Sequence, residues 1–226
     1  MLPQNTLEIL KTLSKTELKS LGDFINSPYF NSIEKLKDLF NEIVKSYPDF
    51  TSKRLEDKAI HKKLYPGKEF KQKSILNLFS EFGNLLKKFL SYEKFAQQED
   101  ALELNLAKSL SERRCYELSL KTVNEFKKRK ESSEKFHEDH FHYFYKMERI
   151  VQRNLVNMRP LNKRRTNEAL NAGANALMLD FMNKYSTLAY YLSVVKVVRP
   201  DKENNKTIDS FLNSVRTHRS DVGKNC

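Results

Sequence analysis

Three histidines and two carboxylates lie within six residues, in the order His137-Glu-Asp-His140-Phe-His142. Both side-chain types bind divalent metals, and a helical zinc site places its two histidines four residues apart. Here the histidine spacings are three and two, so on a helix His142 points away from His140. His140 instead falls in line with the apolar residues Tyr143 and Phe144. The pattern therefore predicts a part-buried core histidine and no metal site.

Lysine and arginine cluster at two places that could contact phosphates or an acidic protein. The clusters consist of Lys127, Lys128, Arg129 and Lys130, and of Arg159, Lys163, Arg164 and Arg165. Tyr143 and Tyr145 could serve a nucleic acid as stacking platforms. The first cluster ends a predicted helix, where cations complement the helix dipole. The second lies in a predicted loop without acidic residues, so we expect it to be the better contact site.

The charge distribution also favours this middle region. The chain has 226 residues and a formal net charge of +12. Residues 108–165 hold 16 Lys and Arg against eight Asp and Glu, a net charge of +8, while the segments on either side carry +2 each. Such an excess attracts acidic proteins or nucleic acid.

No catalytic motif is present in the sequence. There is no G-x-S-x-G nucleophile elbow, no P-loop and no Rossmann glycine fingerprint, and the chain has only five glycines. Cys115 would share a helical face with Ser119, Val123 and Phe126, which predicts a buried, inert thiol. We therefore predict a protein that is not an enzyme and that has no cofactor, catalytic residue or metal ligand.

The first part of the chain, residues 1–97, has the signals of a helical subdomain. Ser14 and Glu17 fit a capping box at the start of one amphipathic helix, and Pro28 predicts its end. An elbow, Ser27-Pro-Tyr-Phe-Asn31, leads to the next helix, with Asn31 or Ser32 as its cap. We expect Tyr29 and Phe30 to plug a groove against a long central helix over residues 71–95.

Residues 98–219 are predicted to form helical hairpins with short polar turns. One helix, capped by Thr166, carries small residues on one face, and a separate apolar helix follows from about Ser186 to Val198. The pattern predicts an all-α fold, an irregular antiparallel α-solenoid of the tetratricopeptide kind. Residues 220–226 are predicted to be a disordered tail. Because the polar end lacks a capping helix, we expect the array to be truncated or covered by a partner.

The composition excludes several classes of protein. Abundant Phe and Tyr argue against a disordered chain, and few glycines and prolines argue against an all-β fold. The longest apolar window, residues 188–198, is much shorter than the ~20 residues that span a bilayer. The N-terminus shows no signal peptide. We therefore expect a cytoplasmic protein without membrane contact.

Four segments together resemble a family of bacterial all-helical proteins. They are Leu13-Ser-Lys-Thr-Glu-Leu18, Phe24-Ile-Asn-Ser-Pro-Tyr-Phe-Asn31, Leu64-Tyr-Pro-Gly-Lys68 and Leu85-Leu-Lys-Lys-Phe-Leu-Ser-Tyr92. The resemblance covers about the first hundred residues, and members of the family look longer than this chain. It implies a helical fold and brings no activity, cofactor or site residue.

These patterns lead to two functional hypotheses. The first is a non-enzymatic helical scaffold that binds a protein partner. The alternative is a nucleic-acid-associated protein that uses the basic region 127–165. Neither the partner nor the oligomeric state follows from the sequence.

Overall fold

A computed structural model describes residues 2–51, 53–132, 139–158, 160–198, 209, 210 and 213. The described residues form nine α-helices and one 3-10 helix, Lys53–Leu55, and contain no strand. The prediction of an all-α fold is therefore confirmed. The helices are α1 (Gln4–Thr12), α2 (Lys15–Asn26), α3 (Glu34–Val44), α4 (Asp57–Leu64), α5 (Gln72–Ala96), α6 (Glu99–Glu112), α7 (Tyr116–Glu131), α8 (His140–Asn157) and α9 (Lys163–Val198).

The chain divides into two compact units, Met1–Gln98 and Glu99–Cys226. In the first unit, α5 packs against α2, α3 and α4, and it matches the predicted central helix to within one residue at each end. It supplies a line of buried side chains, Ile75, Leu78, Phe79, Phe82, Leu85, Leu86 and Phe89. At Gly83, an added Cβ would lie 3.0 Å from the Thr6 hydroxyl, so a larger residue would require the Thr6 side chain to shift.

The start of α2 is held by the predicted capping box. The Ser14 hydroxyl accepts a hydrogen bond from the Glu17 backbone N–H at 3.2 Å, and the Glu17 carboxylate accepts one from the Ser14 N–H at 2.8 Å. These bonds satisfy two backbone donors that the helix leaves free. Hydrogen bonding to Ser14 lowers the pKa of Glu17 below its ordinary value.

The elbow after α2 differs in part from its prediction. Neither Asn31 nor Ser32 caps α3, because its N-cap residue is Ile33, which has no side-chain capping bond. The buried side chain of Asn31 donates to the carbonyl oxygens of Ile25 (2.9 Å) and Ile33 (3.2 Å) and accepts from the Ile33 N–H (2.9 Å). Phe30 stacks on Phe24 with ring centroids 4.0 Å apart. Tyr29 is 87% exposed, so the expectation that it fills a groove is wrong.

Replacing Phe30 with alanine should lower the free energy of unfolding by about 2 kcal/mol. The ring also packs edge-on against Tyr92, at 5.0 Å between centroids, but it is only partly buried, so the loss is smaller than for a core phenylalanine. Urea denaturation followed by circular dichroism measures the change. Tyr29→Ala is the control and should alter stability by less than about 0.5 kcal/mol. Equal effects of the two substitutions would contradict this account of the elbow.

In the second unit, α6 packs on α7, α8 contacts both, and α9 packs along α8. The core is apolar and is contributed mainly by α7 and α8. It contains Ala107, Leu120, Val123, Phe126, Met147, Ile150, Val151, Leu155 and Ala169.

A buried polar network joins three of these helices. The Asn154 side chain of α8 donates to the Ser119 hydroxyl of α7 at 2.8 Å, and Ser119 donates to the Ala107 carbonyl oxygen of α6 at 2.7 Å. The side-chain amide oxygen of Asn154 accepts from the Ser111 hydroxyl of α6. Because a buried polar group is costly unless it is paired, these bonds favour one register of the three helices.

The largest departure from the predicted elements is α9. It is one continuous helix from Lys163 to Val198, about 54 Å long, rather than two helices starting at Thr166 and Ser186. Asn162 caps it by accepting from the Arg165 N–H at 3.0 Å. No proline or glycine separates the two predicted segments, and Ser186 does not act as a cap. The predicted tail, residues 220–226, lies outside the described residues.

Candidate interaction surface

The first basic cluster lies in the last turns of α7, and carboxylates of neighbouring helices pair with three of its four cations. Lys127 pairs with Glu148 of α8. Lys130 Nζ lies 2.7 Å from an oxygen of Asp100 of α6. Lys128 has no ion-pair partner within the part of the chain that the structure describes.

Arg129 forms the most extensive of these pairs. It donates two hydrogen bonds to the Glu103 carboxylate of α6, and these bonds raise the pKa of its guanidinium above the ordinary value. A second carboxylate, that of Asp100, lies 3.7 Å from Arg129 Nη2. Arg129 and Lys130 also lie over the Phe126 ring, 5.9 and 5.7 Å from its centroid. The first cluster therefore ties α7 to its neighbours and leaves little free charge for a ligand.

The second basic cluster lies on a helix and not in the predicted loop. Lys163, Arg164 and Arg165 form the exposed first turn of α9, and Arg159 lies outside the described residues. Arg164 Nε donates to Glu168 at 2.9 Å on the surface. Cations at a helix N-terminus oppose the dipole, so this turn carries a positive potential that local groups do not fully offset.

The face of α9 that packs on α8 consists of small residues and one acid, namely Ala169, Gly173, Ala176 and Asp180. A Cβ at Gly173 would lie 3.0 Å from the Gln152 amide nitrogen and 3.3 Å from Glu148 Cβ. The Gln152 amide also donates to the Ala169 carbonyl oxygen at 3.1 Å. Small residues at spacings of four, three and four thus bring the two helices close together.

The large apolar side chains of α9 point to solvent instead. Twelve of them are between 39% and 82% exposed: Leu170, Leu177, Met178, Leu179, Phe181, Met182, Leu188, Tyr190, Tyr191, Val194, Val195 and Val197. A helix ordinarily buries its apolar side and exposes its polar side, and large exposed apolar patches mark interaction sites.

Part of this surface has a regular period. Exposed positions recur at alternating spacings of four and three, and we call them the heptad stripe: Leu170, Ala174, Leu177, Phe181, Lys184, Leu188, Tyr191 and Val195. Such a repeat lies along one side of a helix and is the pattern by which helices pair in coiled coils. Sequence reasoning missed the stripe because the helix was divided at Ser186. The seven-residue spacing of Phe181, Leu188 and Val195 was the signal that could have revealed it.

Lys184 is the single charge within the stripe, and it has partners. Its Nζ donates to Asp180 Oδ2 at 3.0 Å, and this hydrogen bond raises the pKa of Lys184 above its ordinary value. Asp180 is buried against α8, with His142 Nδ1 3.4 Å from the same oxygen. Lys184 also lies 3.7 Å from Asp139, directly before α8. The two carboxylates therefore balance the charge of Lys184, close to the start of α8.

The histidines of the first sequence motif are separated by the structure. His140 is buried beside Phe144, with ring centroids 4.7 Å apart, as predicted. Burial lowers its pKa below the ordinary value, and nearby Lys130 lowers it further. His142 faces Asp180, and His137 is outside the described residues. Among the residues with a described placement, no group of three or more potential ligands could hold a metal ion.

The prediction for Cys115 is wrong. The thiol is exposed, because Cys115 precedes the first turn of α7 with a non-helical backbone and does not share the helix's buried face. The possible stacking residues Tyr143 and Tyr145 are both half-buried, and burial raises the pKa of Tyr143 above its ordinary value. Neither offers a fully open ring to a base.

None of the helices in the described ranges is both long and apolar enough to cross a membrane. No protein-family model, curated protein or solved structure matches the chain. The geometry of the described residues is therefore the basis for choosing an interaction surface. The heptad stripe of α9 is exposed, whereas most charges of the first basic cluster are paired within the protein.

Proposed function

We propose that this chain is a non-enzymatic helical scaffold that binds a partner protein through the heptad stripe of α9. Its second unit would be part of a tetratricopeptide-like α-solenoid. In support of that arrangement, α6 with α7 and α8 with α9 pack as successive pairs, and the first helices of the two pairs, α6 and α8, touch. This is how repeats stack in a helical solenoid.

The observation that carries the proposal is the exposure of the stripe. Seven of its eight members are apolar, and they extend over 26 residues, or about 38 Å of helix. A partner helix with a matching repeat would bury these side chains by inserting its own between them. Each large apolar side chain contributes about 1.5–3 kcal/mol when it is fully buried.

The partner is a different protein rather than a second copy. Each copy carries a net charge of +12, and this charge opposes self-association. A different partner with a net negative charge avoids this cost.

The test compares Leu177→Ser/Phe181→Ser with the matched control Asn171→Ser/Asn175→Ser, whose polar side chains are also exposed on α9. A partner is captured from a lysate of the source organism, purified and titrated by calorimetry. We expect the stripe variant to bind about 30-fold more weakly, since two anchors at roughly 1 kcal/mol each are removed. The control should bind like the original chain, with a negative heat-capacity change in both titrations.

Two results would contradict the proposal. If every purified partner binds the stripe variant and the control equally, the stripe is not the docking surface. If light scattering shows a dimer that dissociates only in the stripe variant, the occupant is a second copy. Circular dichroism establishes that both variants remain folded.

A further inference from the structure

A second surface feature of the second unit is a groove between α6 and α8, with a volume of about 400 Å³. Leu104 of α6 and Ile150 of α8 contribute its apolar floor. Four cations also line it: Lys108, Lys146, Arg149 and Arg153. None of them belongs to the two basic clusters that the sequence suggested, and we call this feature the basic groove.

The charge of the basic groove is not compensated locally. Among the residues with described positions, no carboxylate lines it, and neither Lys146 nor Arg149 has an ion-pair partner. Lys108 lies 3.9 Å from Glu112 in an exposed pair, which is worth little. Arg153 Nε donates to the Ser111 hydroxyl at 3.2 Å, which leaves the guanidinium charge unneutralised.

The cations also have a regular spacing. Lys146, Arg149 and Arg153 follow one another at three and four residues, so they lie on one side of α8 and rise by about 4.5 and 6 Å along its axis. Ile150 lies beside this row, 6% exposed, at the edge of the apolar floor. A helix with acids at spacings of three and four beside an apolar stripe has the complementary pattern.

We propose that the basic groove binds an acidic, amphipathic helical segment of a partner protein. The floor would receive the apolar side chains of the segment, and the cation row would face its carboxylates. Single-stranded nucleic acid fits less well, because it needs open aromatic faces and the one aromatic residue of the groove, Tyr145, is half-buried. The inference rests on the proposed function only in that both make this chain a docking protein.

The experiment selects a phage-displayed library of random 16-residue peptides on the full chain, with depletion on Lys146→Gln/Arg149→Gln. We expect enriched peptides to carry Asp or Glu at spacings of three or four beside Leu, Ile or Phe. A synthetic enriched peptide should bind the double variant about tenfold more weakly, because two ion pairs are lost. Replacing its carboxylates with amides should abolish the difference between the variant and the original chain.

The matched control is Lys128→Gln/Arg165→Gln, which removes one lysine and one arginine from exposed sites outside the groove. It should bind the peptide like the original chain, and so should Leu177→Ser/Phe181→Ser. Unchanged peptide binding by the stripe variant would show that the basic groove acts separately from the heptad stripe. If one of the two proposed sites is wrong, the other can still be tested. The groove variant and its control each replace two exposed side chains. Circular dichroism establishes that both variants fold.

Three outcomes would overturn the proposal. The first is enrichment of peptides without an excess of acidic residues. The second is equal weakening of peptide binding in the groove variant and in the Lys128→Gln/Arg165→Gln control. The third is groove-dependent binding of a mixed-sequence 12-nucleotide single-stranded DNA that outcompetes the peptide, which would assign the groove to nucleic acid.

Discussion

Replacing Lys127 with methionine should lower the free energy of unfolding by about 3 kcal/mol. Its partner Glu148 is 3% exposed, and removing one member of a buried ion pair leaves the other charge without compensation. The expected loss is at the lower end of the range for buried pairs, because the Lys127 side chain itself is 26% exposed. Urea denaturation monitored by circular dichroism measures the change.

Lys128→Met is the matched control, because it makes the same substitution at the next position of the same cluster. Lys128 is exposed, and we expect an effect within about 0.5 kcal/mol. If the two variants were equally stable, the Lys127–Glu148 pair would not support the packing of α7 on α8, and the first basic cluster would again be a candidate ligand site.

Replacing Phe82 with alanine should cost about 3–5 kcal/mol, the largest effect we expect in the first unit. Phe82 is fully buried near the middle of α5, and the truncation loses its transfer free energy and opens a cavity among close-packed neighbours. A lowered urea midpoint with an unchanged m-value is the expected signature.

Leu76→Ala on the same helix serves as the control, because Leu76 is 47% exposed and its truncation opens no closed cavity. We expect a cost below about 1 kcal/mol. A Phe82→Ala protein as stable as the control would mean that α5 is not the centre of the core.

The structure changes which positive charges are available to a ligand. The run Lys127–Lys130, where cations are adjacent along the chain, indicated a possible contact site for an acidic ligand. In the fold, Asp100, Glu103 and Glu148 pair with most of that run, whereas the charges of the basic groove stay open. The cations of α8 lie within the predicted basic region 127–165, but they are three and four residues apart, so they do not form a run along the sequence.

Much of the local structure could be predicted because it depends on neighbouring residues. The Ser14–Glu17 capping box, the end of α2 before Pro28 and the extent of α5 follow from contacts within a few residues. The division of α9 at Ser186 was wrong for a related reason. Serine favours caps but is tolerated within helices, and the continuing hydrogen-bond pattern of α9 places Ser186 in the helix interior.

The sequence by itself determined the all-helical class, the limits of α2 and α5, and the excess of positive charge. These properties arise from residue type and from periodicity along one segment. Only the tertiary structure decided that Tyr29 faces solvent while Phe30 packs against Tyr92, and which cations are paired. Such outcomes depend on side chains from helices far apart in the chain. The outward direction of the apolar side chains of α9 was decided in the same way, because small residues at Gly173 and its neighbours fit the surface of α8.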